Sequence, residues 1–254
     1  MLGATSGIGW ALAAKFVETG TSVIVVGRRK EKLDEFAKQF GDVSEATIDT
    51  AVFDITDLQG IPKFADDIAL KHADLDCVFL NSGLQRAIDW TKPENVDLET
   101  LDLEVLTNYT SFMHLTKAFL PYLMKQTPRK TSMIYTTSGL ALVPISYCPN
   151  YCATKAALHH MILAMREQLR SSNVTIIELF PPAVQTELHD HEFGDKGKDI
   201  GMPLKDFTEE AFEGLCREGK AGEQVPVGMS KHNFDSWEQE RQKNMLKMME
   251  SMKK

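Results

Sequence analysis

Short β-branched runs alternate with longer helical stretches along most of the chain, and that alternation constrains the fold more than any other feature. The runs at Ser22 to Val26, Thr50 to Ile55, Cys77 to Leu80, Ser132 to Thr136 and Val174 to Leu179 read as strands. Helical patterns cover Ile8 to Glu18, Glu31 to Gln39, Ile61 to His72, Leu98 to Met124 and Ala153 to Arg170, with Gly20, Gly41 and Asn173 near helix ends. Strands joined by helical crossovers pair in parallel, so the expected class is α/β: one parallel sheet with helices on both faces. No internal repeat and no Pro/Gly/Ser-rich linker divides the 254 residues, which predicts a single domain over 1–254. After Pro181 the pattern loosens into a lid over Leu188 to Cys216, with a helix from Leu204 to Cys216, and then a last strand at Gln224 to Val227. A helical tail from Asp235 to Lys254 carries Met245, Met248, Met249 and Met252 at helical spacing, a stripe that reads as core packing or partner contact.

Composition narrows the function classes. Apolar residues make up 43% and charged residues 25%, as in globular chains, and the formal net charge is −8. That charge leaves no basic face for nucleic acid. The longest apolar stretches, such as Val23 to Val26, fall far short of the roughly 18 residues of a membrane span. Four cysteines, Cys77, Cys148, Cys152 and Cys216, form no CxxC pair, and no secretory leader is evident, so reduced thiols in a cytoplasmic compartment are expected. His189-Asp190-His191-Glu192 lacks a further ligand set, and no metal is assigned.

The segment Gly3-Ala4-Thr5-Ser6-Gly7-Ile8-Gly9 leads straight into an apolar helix. Its GxxxGxG spacing suits a turn whose backbone N–H groups and helix N-terminus hold a pyrophosphate, with Gly3, Thr5, Ser6, Gly7, Ile8 and Gly9 as the candidate cradle. At the end of the next strand stand Arg28 and Arg29, where NAD-specific folds usually carry an acidic residue. A guanidinium matches a 2′-phosphate bidentately, so NADP is the expected cofactor, with NAD possible. Only Met1 and Leu2 precede the turn, whereas a nucleotide-binding unit needs a first strand of about five residues. Without that central strand its neighbours would stand about 9–10 Å apart with unpaired ladder groups, and a truncated sequence is the favoured explanation over a natural loss.

Tyr151 and Lys155 lie four apart at the start of a helix, so their side chains project from one face, and Ser138 lies at the end of a strand thirteen residues upstream. An unperturbed phenol titrates near pH ~10, and a nearby ammonium stabilises its phenolate. Together with the glycine turn, this Ser and Tyr-x-x-x-Lys arrangement resembles the short-chain dehydrogenase/reductase family over nearly the whole chain. The resemblance implies a Rossmann-like doubly wound parallel sheet and hydride transfer between a nicotinamide cofactor and a carbonyl or alcohol substrate. It assigns the general acid/base to Tyr151, polarisation of the substrate oxygen to Ser138, and contact with the nicotinamide ribose and lowering of the tyrosine pKa to Lys155. Asn108 matches the family's asparagine that holds a water in a proton relay. Asp54, followed by Ile55, matches the acidic residue at the adenine, while Asp57 beside it suits a cap or turn. Asn81-Ser82-Gly83 is similar to the Asn-Asn-Ala-Gly segment, and Pro181-Pro182-Ala183-Val184-Gln185-Thr186 to the stretch that meets the carboxamide through Val184 and Thr186. Leu2 stands where the family has a threonine before the first glycine. The runs Glu178 to Leu188 and Asn81 to Arg86 look closest to the DltE-like oxidoreductase subgroup. Family precedent further implies a homodimer or homotetramer packed through the two long helices.

A rival reading, motivated by the absent first strand, is a nonenzymatic nucleotide-binding scaffold or redox sensor. Cys148 and Cys152 flank Tyr151 without a base of their own and read as pocket lining, and His159 and His160 as packing or interface residues.

Overall fold

A computed structural model describes residues 1–217 and 219–252. Its elements run α1 (Gly7–Glu18), β1 (Val23–Gly27), α2 (Lys30–Phe40), β2 (Ile48–Val52), α3 (Ile61–Lys71), β3 (Cys77–Leu80), α4 (Leu98–Val105), α5 (Ser111–Lys125), β4 (Thr131–Thr136), α6 (Pro149–Gln168), β5 (Val174–Phe180), α7 (Asp190–Phe193), α8 (Leu204–Leu215), β6 (Gln224–Pro226), α9 (Ser230–Asn233) and α10 (Gln239–Met252). The strands pair in parallel, in the spatial orders β2-β1 and β3-β4-β5-β6.

Between these two groups stands Leu2, which makes parallel bridges to both Val26 and Leu80. Val26 N donates to the Met1 carbonyl at 2.9 Å, Leu2 N to Phe79 O at 2.8 Å, and Asn81 N to Leu2 O at 3.1 Å. The unpaired gap expected here is therefore bridged at one level, where two residues supply a rung of the central strand. That level is the one the site needs, because Gly3 N and Ala4 N fasten onto Val26 O at 3.0 and 3.1 Å and so set the glycine turn.

Alternate residues of each strand enter opposite cores, as a pleated sheet requires. Val26, Val78, Leu80, Met133, Tyr135 and Ile176 pack under α3, α5 and α6. On the other face Val25 packs under α1 and α2, and Phe79, Ile134 and Leu179 under α1 and α8. The sheet is doubly covered, as the continuous apolar strands imply.

Several elements differ from the sequence reading. β2 lies earlier, because Val23 registers with Ile48, and Phe53 to Ile55 leave the sheet beside the Asp54 turn. The helix expected over Leu98 to Met124 is broken by a π-helical turn over Leu106–Thr110 that carries Asn108. α8 is core: Phe207 and Ala211 are fully buried against its neighbours, so only the stretch before it covers the cleft. The methionine stripe of α10 does not pack inward, for α10 buries no residue and Met248 and Met252 are exposed. Residues 253 and 254 of the expected tail lie outside the described residues.

Candidate active site

At the carboxyl ends of the strands, either side of Leu2, opens a cleft of about 960 Å³. One end is built by the glycine turn. Gly3 and Gly7 have φ of 77° and 53°, which a side chain rarely tolerates. Gly9 faces inward, where a Cβ would collide with the Gly3 carbonyl, so it lets α1 press onto the turn. α1 begins at Gly7 without a side-chain cap, leaving its first N–H groups directed at the cleft. Gly3, Thr5, Ser6, Gly7 and Ile8 line that end together with Arg28, Arg29, Asp54 and Ile55.

The two arginines are held differently. Arg29 donates to Thr5 Oγ1 from Nε and Nη2, both at 3.2 Å, and pairs with Glu187 at 3.0 Å. Arg28 is largely exposed, and Asp54 meets it only at 3.8 Å. Burial raises the Asp54 pKa, but bonds from Thr56 N and Oγ1 and the Arg28 charge outweigh it, and the carboxyl titrates below its ordinary value. Asp57 closes a turn onto Gly60 N at 3.0 Å rather than capping α3.

The other end carries Ser138, Tyr151 and Lys155, all buried and all lining the cleft. Ser138 ends the extension of β4, and its hydroxyl accepts from Leu140 N at 3.1 Å. α6 opens four residues earlier than expected, at Pro149, whose fixed φ suits a first helical turn and sets Tyr151 and Lys155 on its opening turns. Lys155 Nζ donates to Thr136 O at 2.9 Å and lies 5.6 Å from the Tyr151 ring centre. Burial lowers the Lys155 pKa to about 8, against the opposing charges of Glu104 and Glu178. Burial also pushes the Tyr151 phenol above its ordinary value, partly offset by the Ser138 hydroxyl. With the Lys155 ammonium turned to a carbonyl, desolvation is the largest influence on the phenol.

Asn81, Ser82 and Gly83 line the middle of the cleft, with Val184 and Thr186 opposite. Asn81 sutures the turn to β4: its Nδ2 donates to Gly3 O at 3.2 Å and its Oδ1 accepts from Thr136 Oγ1 at 2.9 Å. Asn108 is fully buried behind the lining. Its amide clamps Leu84, accepting from Leu84 N at 2.8 Å and donating to Leu84 O at 2.7 Å, and it reaches Thr154 Oγ1 at 3.1 Å.

Sequence reasoning missed Glu104, the cleft residues beyond β6 and the partners of His159, a residue it read as packing or interface and which is buried. Glu104, buried one turn before Asn108, accepts from Arg86 N at 2.9 Å and Asn150 Nδ2 at 2.6 Å. His159, two turns beyond Tyr151 on the same face of α6, is sandwiched between Glu178 at 2.9 Å and Glu238 at 3.0 Å, with Arg241 capping Glu238. Met229, Ser230 and Asn233 line the cleft from beyond β6. The Tyr-x-x-x-Lys spacing extended by one more turn to His159 was the one available signal. Among the described residues no cluster of three or more His, Cys, Asp or Glu is arranged to hold a metal, and His191 pairs with its neighbour Glu192.

A bare glycine cradle at one end of a single cleft, and a polar group built on a strand end and a helix start at the other, fit an extended dinucleotide with its reacting ring at Tyr151. Such a fold and site define a nicotinamide-dependent oxidoreductase. Residues 1–197 match the model of the short chain dehydrogenases. The chain is 33% identical over 220 residues to the uncharacterized oxidoreductase DltE of Bacillus subtilis, covering 86% of this chain and 83% of that one. It is 32% identical over 185 residues to serine 3-dehydrogenase of Agrobacterium fabrum, covering 73% and 71%. In fold it is similar to a short-chain dehydrogenase from Sphingobium yanoikuyae in complex with NADPH, with a TM-score of 0.82, 21% identity and coverage of 96% and 93%. The chain belongs to the short chain dehydrogenase family.

Proposed function

We propose that the chain is an NADPH-preferring carbonyl reductase, acting in reverse as an alcohol dehydrogenase, with Ser138, Tyr151 and Lys155 as its reacting group and Asn108 supporting them. The observation that carries this reading is the single cleft joining Arg28 and Arg29 at one end to Ser138, Tyr151 and Lys155 at the other. When bound, the cofactor supplies or accepts the hydride. Ser138 donates a hydrogen bond to the substrate oxygen, and Tyr151 gives that oxygen its proton as negative charge develops. Burial keeps the Tyr151 phenol protonated at neutral pH, which favours its use as the acid of a reduction. Lys155 offers donors to the ribose, and Asn108 holds Leu84 and Thr154 in place beside it. Gly3, Thr5, Ser6, Gly7 and Ile8 hold the pyrophosphate, with Gly9 supporting the turn from behind; Asp54 and Ile55 flank the adenine, and Val184 and Thr186 the carboxamide.

NADP over NAD follows from the exposed Arg28 and the Thr5-braced Arg29, which meet a 2′-phosphate where an acidic residue would repel it. The stretch from Leu188 to Ile200 covers the site as a lid, and the chain works as one domain. The same reading includes a cytoplasmic enzyme that forms a homodimer or homotetramer. Side-by-side fluorescence titrations with NADPH and NADH test the cofactor assignment. NADPH is expected to bind more tightly, and Arg28→Ala to weaken NADPH about tenfold while sparing NADH; equal binding of both by the unaltered chain would overturn it.

A further inference from the structure

We propose that Arg86 anchors an anionic group of the substrate, and that the substrate is a carboxylate-bearing ketone, or the matching hydroxy acid, with an apolar body. This inference rests on the reductase reading above and names the substrate class for the same site.

Arg86 lines the cleft at its Tyr151 end, together with Ile145, Tyr147, Phe193 and Met229. The backbone there is fastened to α4, to the π turn that carries Asn108 and to the loop that leads into α6. Leu84 N donates to Asn108 Oδ1, Arg86 N to Glu104 Oε1 at 2.9 Å, and Ile88 N to Tyr147 O at 3.1 Å. Glu104 in turn accepts from Asn150, the residue before Tyr151. The guanidinium is oriented by a bond from Nη1 to Gln85 O at 2.6 Å, which fixes it without neutralising it.

The carboxylates of Glu104, Asp89 and Glu192 bond other donors, although the Glu104 charge still acts on Arg86 at longer range. Both oxygens of Glu104 are taken by Arg86 N and Asn150, Asp89 accepts from Thr91 N and Oγ1, and Glu192 bonds Ala87 N and pairs with His191. Among the described residues, Arg86 forms no ion pair with any of them. The second cation of this end, Lys155, is buried against Thr136 O, and burial holds His189 below its ordinary pKa. The substrate end therefore presents a guanidinium with no ion-pair partner among the described residues, offset only at longer range by the buried Glu104, inside a half-enclosed cleft where low-dielectric walls strengthen its pull on an anion. Its planar donors match a carboxylate. Ile145 and Phe193 stand exposed around it, and the Tyr147 and Phe193 rings stack at 5.5 Å, which gives an apolar surface for the rest of such a molecule. A small neutral ketone would use neither feature.

Steady-state reduction of oxo acids with the ketone at successive distances from the carboxylate, each beside its methyl ester, tests the assignment. At the best spacing the acid is expected to exceed its ester by about 10-fold to 100-fold in kcat/KM, the size of a charge-assisted contact. In Arg86→Leu that ratio is expected to collapse through KM of the acid, with kcat on the ester and the Kd of NADPH unchanged, and Arg86→Lys is expected to keep part of it. Equal kcat/KM for acid and ester in the unaltered protein, or an acid preference that survives Arg86→Leu, overturns the assignment of Arg86 and leaves the reductase reading intact. Failure to reduce any acid, ester or neutral ketone while NADPH still binds overturns both.

Discussion

Tyr151 and Lys155 are shifted in opposite directions by the same burial: the phenol upward, the ammonium down to about 8. A tyrosine protonated throughout the neutral range is an acid first and a base only at high pH. Reduction is expected to run nearly level across neutral pH, whereas alcohol oxidation, which needs Tyr151 to accept a proton, is expected to climb as pH rises; initial rates in both directions check this. An oxidation rate that falls with rising pH would remove Tyr151 from the role. At the opposite end of the cleft, Gly9→Ala drives a Cβ into the Gly3 carbonyl. It is expected to cost about 1–3 kcal/mol of stability and to abolish NADPH binding, read by a urea midpoint and a titration.

Elements show how much of this was legible beforehand. The glycine turn, Arg28, Ser138, Tyr151 and Lys155 are local patterns readable from spacing alone, and the fold brings them to one cleft. The π-helical turn at Asn108 and the partners of Glu104 and His159 were not legible, because each contact involves residues brought in from distant parts of the chain. His159 binds Glu178 of β5 and Glu238 before α10, which ties the end of the chain to the helix bearing Tyr151. Burial alone lowers the His159 pKa, but the two carboxylates outweigh it and raise it to about 9 from an ordinary 6.5. Glu238, which burial raises, is drawn down to about 2 by His159, Arg241 and Gln242. The folded state thus binds the His159 proton more tightly than the unfolded one, so its stabilisation is complete below about pH 6.5 and lost as pH climbs through about 9. Glu238 contributes above its ordinary 4.5, and that contribution is lost as pH falls through about 2. His159→Gln is expected to lower Tm markedly near pH 6 and hardly at all above pH 9, with a ceiling on the order of 3 kcal/mol. A pH-independent difference in Tm would contradict that charge assignment.

Across the whole molecule, the sheet's central rung is two residues long, yet it joins both halves at the level where the cleft opens. Leu98, Leu103 and Val105 on α4 and Met124 near the end of α5 leave exposed apolar surface. Light scattering during size-exclusion chromatography is expected to return two or four times the 28.5 kDa of one chain, and a monomer at micromolar concentration would contradict it. One chain brings Ser138, Tyr151 and Lys155 together in the cleft, which makes the proposed reaction directly testable. The most direct measurement compares NADPH-dependent turnover of a carbonyl panel by the unaltered protein and by Tyr151→Phe at saturating cofactor. Loss of about 10²- to 10⁴-fold in kcat, with NADPH affinity kept, is the expected result for the loss of a proton donor. Unchanged turnover in Tyr151→Phe would show that the proton comes from elsewhere and contradict the proposed reaction at its centre.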